Sequence, residues 1–413
     1  MNKGLKNVCI CLTALLLVAL LAVFAAGCGS KATTTTSAAT GTTAGSSTTV
    51  AAPTGEAVVI GAIVSATGPN SALGLQERNV LQMMETNINA AGGVLGRPLK
   101  IVIEDDKSDA QAAVTAANKL IDQDKAVALI AATGSASTLA VKAITAPKGL
   151  PQMAMAAAND VTDKAPADWI WRTPQKDAMA AARALKYISG TLKVKKIAVL
   201  HDENAFGASG AAEIVKTAST YGLEIVANES YKTADTDVTA QLTKIKGANP
   251  EALVVWGTNP GPALAAKNMK QLSMTIPYIG SHGIANATFI KLAGDAAEGV
   301  VFPAGRLLVP ASITDAAQKK VTDDFIAAYK AAYNGDSPNP FGGYAFEAVS
   351  LLVNAITKAG KTDPAAIQAA LNATQGFVMP DGVYNYSATN HDGLTADDMI
   401  MVKIQGGTWV LAE

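Results

Sequence analysis

The chain has 413 residues, of which 33 are basic and 34 are acidic, so its formal net charge is −1. A charge so close to zero excludes a generally basic nucleic-acid binder, because neutralising phosphates requires a surplus of lysine and arginine. Hydrophobic residues make up 49% of the chain, which is ample for a buried core and argues against global disorder.

The N-terminus has the pattern of a bacterial lipoprotein signal peptide over residues 1–27. Lys3 and Lys6 form a short basic region, an uncharged stretch covers residues 8–26, and small residues precede Cys28. Signal peptidases accept small residues before the cleavage point, and Cys28 resembles the lipid-attachment residue of bacterial lipoproteins. An uncleaved transmembrane anchor is the alternative, since about 20 apolar residues can span a bilayer.

The segment 28–56 is predicted to be a flexible tether. It is rich in Ser, Thr, Gly and Ala and carries almost no charge. It therefore has too little apolar surface to bury to offset the conformational entropy lost on ordering. We therefore expect a soluble domain that a lipid on Cys28 holds at the outer face of the cell membrane. Cys9 and Cys11 lie in the signal, so cleavage leaves only Cys28. A mature chain with one cysteine forms no internal disulfide and no cysteine metal site.

From residue 57 onward, patterns typical of strands and helices alternate. Such alternation indicates a doubly wound parallel sheet, and a second unit begins after Arg172. Short apolar runs predict strands at 58–64, 99–103, 126–130, 196–200, 223–227, 252–256 and 278–280, with hairpin-like strands at the end of the chain. Helical spacing of apolar residues predicts helices at 80–91, 211–221, 238–245, 260–272, 314–333, 341–358 and 364–371.

The loops after the predicted strands are the candidate binding regions, because ligands of doubly wound sheets sit beyond the carboxyl ends of the strands. These loops are 65–71, 133–138, 201–207, 257–259 and 281–283. Two facing sets of such loops would form a cleft between two lobes. The sequence contains no dinucleotide fingerprint that opens a helix, no nucleophile elbow and no metal spacing of its three histidines. We therefore expect no enzyme, no cofactor and no metal; a hydrolase is the least favoured alternative.

Several fragments resemble the branched-chain amino-acid type of periplasmic binding protein, the Leu/Ile/Val-binding-like, type I substrate receptors of ABC transporters. Their order and spacing carry the resemblance, which covers about residues 57–410. The fragments are 60–69, 87–99, 104–109, 201–207, 249–253, 297–300 and 344–348. The resemblance implies an α/β fold with two doubly wound parallel-sheet lobes, joined by three crossovers, that close around a small ligand.

The resemblance also implies a division of the chain and a set of partners. Lobe 1 would comprise residues 57–175 and 305–380, and lobe 2 would comprise residues 176–304 and 381–413. The implied protein is a monomer that is not an enzyme and delivers its ligand to ABC permease subunits. The same fold serves some sensors, so a receptor subunit that reports its ligand to a membrane partner is the alternative.

The carboxylate-binding position of this family falls on Ser135. A helix is predicted to start directly after it, so its hydroxyl and nearby backbone N–H groups can converge on an anion, although serine is also common as a plain cap. The next loop lacks the threonine usual in the family, so the backbone N–H of Ala157 would have to serve. Leu73 and Phe206 stand where the family often has tyrosines, which favours an apolar ligand body. Thr258 lies in a further loop of the predicted cleft.

His282 departs from the family in the most informative way. Amino-acid receptors of the family have an acidic residue there, which receives the ammonium group of the ligand. Histidine supplies no fixed negative charge near neutral pH. Either another acid such as Asp202 or Glu203 takes over, or the ligand is an apolar or aromatic carboxylate, or a hydroxy or keto acid, to which His282 donates a hydrogen bond. Simple packing beside the cleft is a further alternative for His282, and Phe341 is expected to approach from the hinge.

Overall fold

The computed structural model describes residues 51–412, so the predicted signal peptide, Cys28 and most of the predicted tether lie outside the described residues. The described strands form two sheets and one hairpin. The first sheet contains β1 (Val58–Val64), β2 (Leu99–Asp105), β3 (Ala128–Ala131), β4 (Gln152–Ala154) and β5 (Ile170–Arg172). The second contains β6 (Lys196–Asp202), β7 (Glu224–Tyr231), β8 (Ala252–Trp256), β9 (Tyr278–Gly280) and β10 (Val301–Ala304), together with two strands near the end of the chain. The hairpin consists of β11 (Phe377–Met379) and β12 (Gly382–Tyr384), and the two late strands of the second sheet are β13 (Ile400–Gln405) and β14 (Thr408–Leu411).

Helices connect the strands and cover both faces of the sheets. In the first half of the chain they are α1 (Ser71–Ala90), α2 (Ala110–Asp122), α3 (Ser135–Thr145), α4 (Asp160–Asp163), α5 (Asp177–Tyr187) and α6 (Ala205–Thr217). In the second half they are α7 (Thr239–Gly247), α8 (Gly261–Gln271), α9 (Ala287–Ala293), α10 (Ala316–Ala332), α11 (Pro340–Ala359) and α12 (Pro364–Asn372). In the part of the chain that the structure describes, no helix combines the length and the apolar composition needed to cross a membrane.

The first sheet is entirely parallel, in the order β2-β1-β3-β4-β5. Its inner strand β1, which lies between β2 and β3, is nearly all apolar because both of its faces are covered by helices. Ile60 and Val64 pack in the core that contains α1 and α11, whereas Ile63 packs on the other face against Ala117 and Leu120 of α2. A strand in this position has to be apolar on both sides, which explains its continuous apolar run.

The second sheet has the order β14-β13-β10-β9-β8-β6-β7. Its strands β6 to β10 are parallel to their neighbours, and β13 pairs antiparallel with both β10 and β14. The chain passes from the first sheet to the second after β5, returns after β10 to place α11 against α1, and crosses again to reach β13. The predicted fold of two α/β lobes joined by three crossovers is therefore confirmed. The residue boundaries of the two lobes stay a prediction.

Some elements differ from the prediction. Helix α6 begins at Ala205, six residues before the predicted start, because the side chain of Asn204 accepts a hydrogen bond from the Gly207 N–H and caps the helix. The predicted C-terminal part of this helix is a separate 3-10 turn at Ala218–Tyr221. Strands β4, β5 and β10, each of three or four residues, were not predicted.

Candidate functional site

A cavity of about 260 Å³ lies where the carboxyl ends of the two sheets face each other. All six residues predicted to bind a ligand line it, and so does Phe341 at the start of α11. The six are Leu73, Ser135, Ala157, Phe206, Thr258 and His282. The volume lies just below the roughly 300 Å³ at which drug-sized sites begin. The cavity therefore suits one small organic molecule.

Ser135 contributes a free hydroxyl proton at the start of a helix. It is the first residue of α3, directly after Gly134, and only 4% of its surface is exposed. Its Oγ accepts a hydrogen bond from the Ala158 N–H at 3.3 Å. The hydroxyl proton is therefore left to donate to a ligand, next to the backbone N–H groups of the first turn. Both features favour an anion at this end of the cavity.

Ala157 is held in place by a buried arginine behind it. The Arg172 guanidinium, which is completely buried, donates to the Ala157 carbonyl at 2.9 Å and to the Ala158 carbonyl at 3.0 Å. Its Nε atom pairs with the Asp392 carboxylate at 2.9 Å. Because its donors are directed at these partners, Arg172 supports the wall of the cavity and does not line it.

On the second-sheet side, an aromatic cluster forms the opposite wall. The rings of Phe206 and His282 meet edge to face with 5.2 Å between centroids, and the ring of Trp256 meets His282 at 5.8 Å. Trp256 itself is completely buried and does not line the cavity. The ring of Phe206 is therefore available to an apolar or aromatic part of a ligand, whereas Trp256 fixes the orientation of the other two rings.

His282 is uncharged at neutral pH. Burial, together with the nearby Arg172 guanidinium, lowers its pKa to about 3. The Asp177 carboxyl lies 4.0 Å from its Nε2 atom and accepts a hydrogen bond from Trp256 Nε1 at 3.1 Å. Burial raises the pKa of Asp177 to about 8, so this carboxyl is mostly protonated at neutral pH and uncharged in that form. The pair therefore adds no net charge to the wall.

Neither of the two acids considered as replacements for a counter-charge lines the cavity. Asp202 is completely buried and accepts hydrogen bonds from the Asn204 N–H at 3.0 Å and from the Thr233 hydroxyl at 2.7 Å. Glu203 accepts a hydrogen bond from the Ser230 hydroxyl, away from the cavity. The proposal that Asp202 or Glu203 faces an ammonium group is therefore not supported by the structure.

The two-sheet fold and the cavity between the sheets agree with the family to which a comparison with known proteins assigns the chain. The sequence pattern of the periplasmic binding protein family matches residues 57–408. The chain belongs to this family, in its type I, branched-chain amino-acid form. The leucine-, isoleucine-, valine-, threonine- and alanine-binding protein of Pseudomonas aeruginosa is 32% identical over 317 residues, covering 76% of this chain and 82% of that protein.

Solved structures of family members have the same architecture. An extracellular ligand-binding receptor from Rhodopseudomonas palustris HaA2 is 27% identical with a TM-score of 0.80, covering 87% of this chain and 100% of that one. A branched-chain amino acid transporter substrate binding protein from Streptococcus pneumoniae, solved in complex with isoleucine, is 25% identical with a TM-score of 0.76. The match covers 86% of this chain and 98% of that chain. These relatives are named as binding proteins and receptors, so this periplasmic binding protein is a solute-binding protein of the same type.

The cavity of this periplasmic binding protein is also lined by polar residues that were not predicted from the sequence to bind a ligand. They are Asn70, Ser108, Thr133, Ser137, Asn204, Thr233 and the phenol of Tyr344. Asn70, Thr133, Ser137 and Asn204 lie in the loops that were predicted to border the cleft, so position after a strand was a usable signal. Thr233 gave no such signal, because β7 runs to Tyr231, four residues beyond the predicted end of that strand.

Proposed function

We propose that the chain is the lipid-anchored, extracytoplasmic solute receptor of an ABC importer. It binds a small hydrophobic or aromatic carboxylate, or a branched-chain-type amino acid, between its two lobes and delivers it to the permease subunits. The observation that carries this proposal is the placement of Ser135, at the start of α3, across one small cavity from Phe206 and His282. One wall offers donors to an anion and the other offers aromatic surface.

The relatives support the proposed class of ligand. The Pseudomonas aeruginosa relative is named for leucine, isoleucine, valine, threonine and alanine, and the Streptococcus pneumoniae structure contains isoleucine. Contacts from both sheets to one ligand would favour a closed arrangement of the lobes, because a ligand shifts a conformational equilibrium by its differential affinity for the two states. Closure by a hinge motion is how we expect the receptor to signal that it is loaded.

A thermal-shift screen of the intact chain tests the ligand class. The panel is leucine, isoleucine, phenylalanine, benzoate, 4-hydroxyphenylacetate and short fatty acids. A ligand that binds the folded state raises the melting temperature by mass action. At least one member should do so; a flat response to the whole panel, with no binding by calorimetry, would contradict the proposal.

Delivery to a transporter separates this proposal from a sensor with the same fold. The liganded protein should stimulate ATP hydrolysis by its permease–ATPase complex in proteoliposomes. Stimulation of a signalling partner without any effect on transport would instead establish the sensor.

The anchor is tested at Cys28. The wild-type chain should incorporate an alkyne-labelled fatty acid and fractionate with membranes. Cys28→Ser should lose the label and appear in the soluble fraction, whereas Cys9→Ser, which changes only the predicted signal, should remain labelled. Labelling of the Cys28→Ser chain would rule out this residue as the attachment site.

A further inference from the structure

The side chains that line the cavity carry no formal charge at neutral pH. Of the described residues that line it, only His282 and Tyr344 have a titratable side chain, and the others are apolar or uncharged polar residues. Burial holds the pKa of the Tyr344 phenol well above its usual range and lowers that of His282 to about 3. Both groups are therefore neutral under physiological conditions.

Two acids behind these lining residues, Glu77 and Asp177, are mostly protonated at neutral pH. Glu77 of α1 is completely buried and receives a hydrogen bond from the Thr133 hydroxyl. Burial raises the pKa of Glu77 to about 8, with a further contribution from nearby Asp106. Burial raises the pKa of Asp177, behind His282, to about 8 as well. Asp202 does not line the cavity, and its carboxylate is bonded to the Asn204 N–H and the Thr233 hydroxyl.

The backbone, by contrast, directs positive potential into the cavity. Four helices, α1, α3, α6 and α11, begin at it, with Leu73, Ser135, Phe206 and Phe341 in their first turns. The N-terminus of a helix carries a partial charge of roughly +0.5, which favours an anion and disfavours a cation. No lining side chain among the described residues offsets this potential with a negative charge.

The imidazole of His282 is also unsatisfied. It is 3% exposed, and neither of its ring nitrogens has a hydrogen-bond partner. A neutral imidazole offers one donor and one acceptor. The ring is therefore suited to an uncharged ligand group such as a hydroxyl or a keto oxygen, and it has no charge with which to bind an ammonium group.

We propose that the cleft binds a carboxylate that has no ammonium group, and that His282 is the specificity-determining residue that disfavours α-amino acids. This inference rests on the proposed function and narrows the ligand of the same cleft. An α-amino acid would place its ammonium group in a site of positive backbone potential without a counter-charge. An unpaired buried charge is strongly unfavourable, whereas the carboxylate is served by Ser135 and the start of α3.

Pairs of ligands that differ only at the α-carbon test the inference. The intact chain is titrated by calorimetry with L-phenylalanine against 3-phenylpropanoate, and with L-leucine against 4-methylpentanoate and 2-hydroxy-4-methylpentanoate. In every pair that shows binding, the acid or hydroxy acid should bind at least ~10-fold more tightly than its amino-acid partner.

The outcomes separate this inference from the proposed function. An amino acid that binds as tightly as its matched acid, or more tightly, overturns the inference and leaves the solute receptor standing. Absence of binding by these compounds and by the whole screening panel overturns the proposed function, and the inference with it.

Two variants of one position test the role of His282. His282→Asp introduces a carboxyl group and should shift the ratio of leucine to 4-methylpentanoate affinity toward leucine by at least ~10-fold. His282→Asn is the matched control, since it stays neutral and should keep the wild-type preference. A His282→Asp protein with a wild-type near-ultraviolet circular dichroism spectrum and an unchanged ratio would remove His282 from this role; the wild-type titrations remain decisive if the variant does not fold.

Discussion

The Thr258 hydroxyl donates a hydrogen bond to Asn70 Oδ1 at 3.0 Å, across the opening between the two sheets. Asn70 follows β1 of the first sheet and Thr258 follows β8 of the second. Both residues line the cavity and are largely buried there. The bond therefore joins the two walls directly, and any motion that separates the walls has to break it.

We expect this bond to stabilise the closed arrangement. In a double-mutant cycle of Asn70→Ala and Thr258→Val, the coupling energy should be about 0.5–1.5 kcal/mol in favour of ligand binding, the net value of one hydrogen bond. The measurement is the dissociation constant of the tightest ligand in the screening panel, with dissociation rates from stopped-flow fluorescence. Most of the loss should appear as faster dissociation.

A second threonine provides the control for that cycle. The Thr233 hydroxyl donates a hydrogen bond to Asp202 at 2.7 Å. Thr233 follows β7 and Asp202 ends β6, so both belong to the second-sheet side of the cavity. Thr233→Val should therefore show no coupling with Asn70→Ala. Coupling of equal size at Thr233 would mean that the effect is not specific to the bond between the walls.

Ser135→Ala should weaken binding of a carboxylate ligand by about 1–3 kcal/mol, because a hydrogen bond to a charged group is lost. Isothermal titration calorimetry with the tightest ligand of the panel measures the effect. Ser350→Ala is the control, since the Ser350 hydroxyl bonds to the Phe346 carbonyl within α11 and does not line the cavity. Unchanged affinity of the Ser135 variant would exclude this residue from the binding site.

The buried ion pair between Arg172 and Asp392 should dominate the local stability. Asp392 also accepts from Lys176 at 2.7 Å, so it compensates two cations. Asp392→Asn should lower the free energy of unfolding by about 3–5 kcal/mol in urea denaturation, because the Arg172 charge is left buried and unpaired. Asp324→Asn, which breaks an exposed pair with Lys320 on α10, should cost about 1 kcal/mol or less. Similar effects of the two substitutions would contradict this account.

Two buried carboxyls, Glu347 on α11 and Asp381 in the turn between β11 and β12, make stability depend on pH. The Asp381 N–H donates to Glu347 Oε1 at 2.9 Å, and Glu347 Oε2 lies 2.7 Å from the Tyr384 hydroxyl. Burial, with a contribution from Asp398, raises the pKa of Asp381 to about 7. Burial also raises the pKa of Glu347 well above its usual value, with Asp381 adding to the shift. The Tyr344 phenol is a further titratable group beside this pair.

The sign of the effect follows from where the proton is held. Between the ordinary aspartate pKa of 3.8 and about 7, the folded state holds a proton on Asp381 that the unfolded chain has lost. Stability is therefore lost as the pH rises through this window. Asp381→Asn removes this loss. The free energy of unfolding of the variant relative to wild type should therefore rise by about 1–3 kcal/mol from pH 5 to pH 8. Urea unfolding at both pH values measures the change, and an equal difference between the proteins at pH 5 and pH 8 would contradict it.

The sequence by itself determined the fold class and the location of the cleft. Strands such as β1 are apolar on both faces because helices cover both sides, and that pattern is local enough to be read along the chain. Since ligands lie beyond the carboxyl ends of parallel strands, loops such as 133–138 and 281–283 followed directly. The resemblance to a family then assigned individual positions, among them Ser135 and His282, and both line the cavity.

Only the tertiary structure decided which charges face the ligand, because burial and long-range contacts set protonation. Nothing in the local sequence places Asp177 4.0 Å from His282 or directs Asp202 toward Thr233. The same holds for Asn70 and Thr258, which are 188 residues apart. A periodic pattern records which face of an element is covered, whereas the desolvation of a carboxyl and the bonds across a cleft depend on segments that meet only after folding.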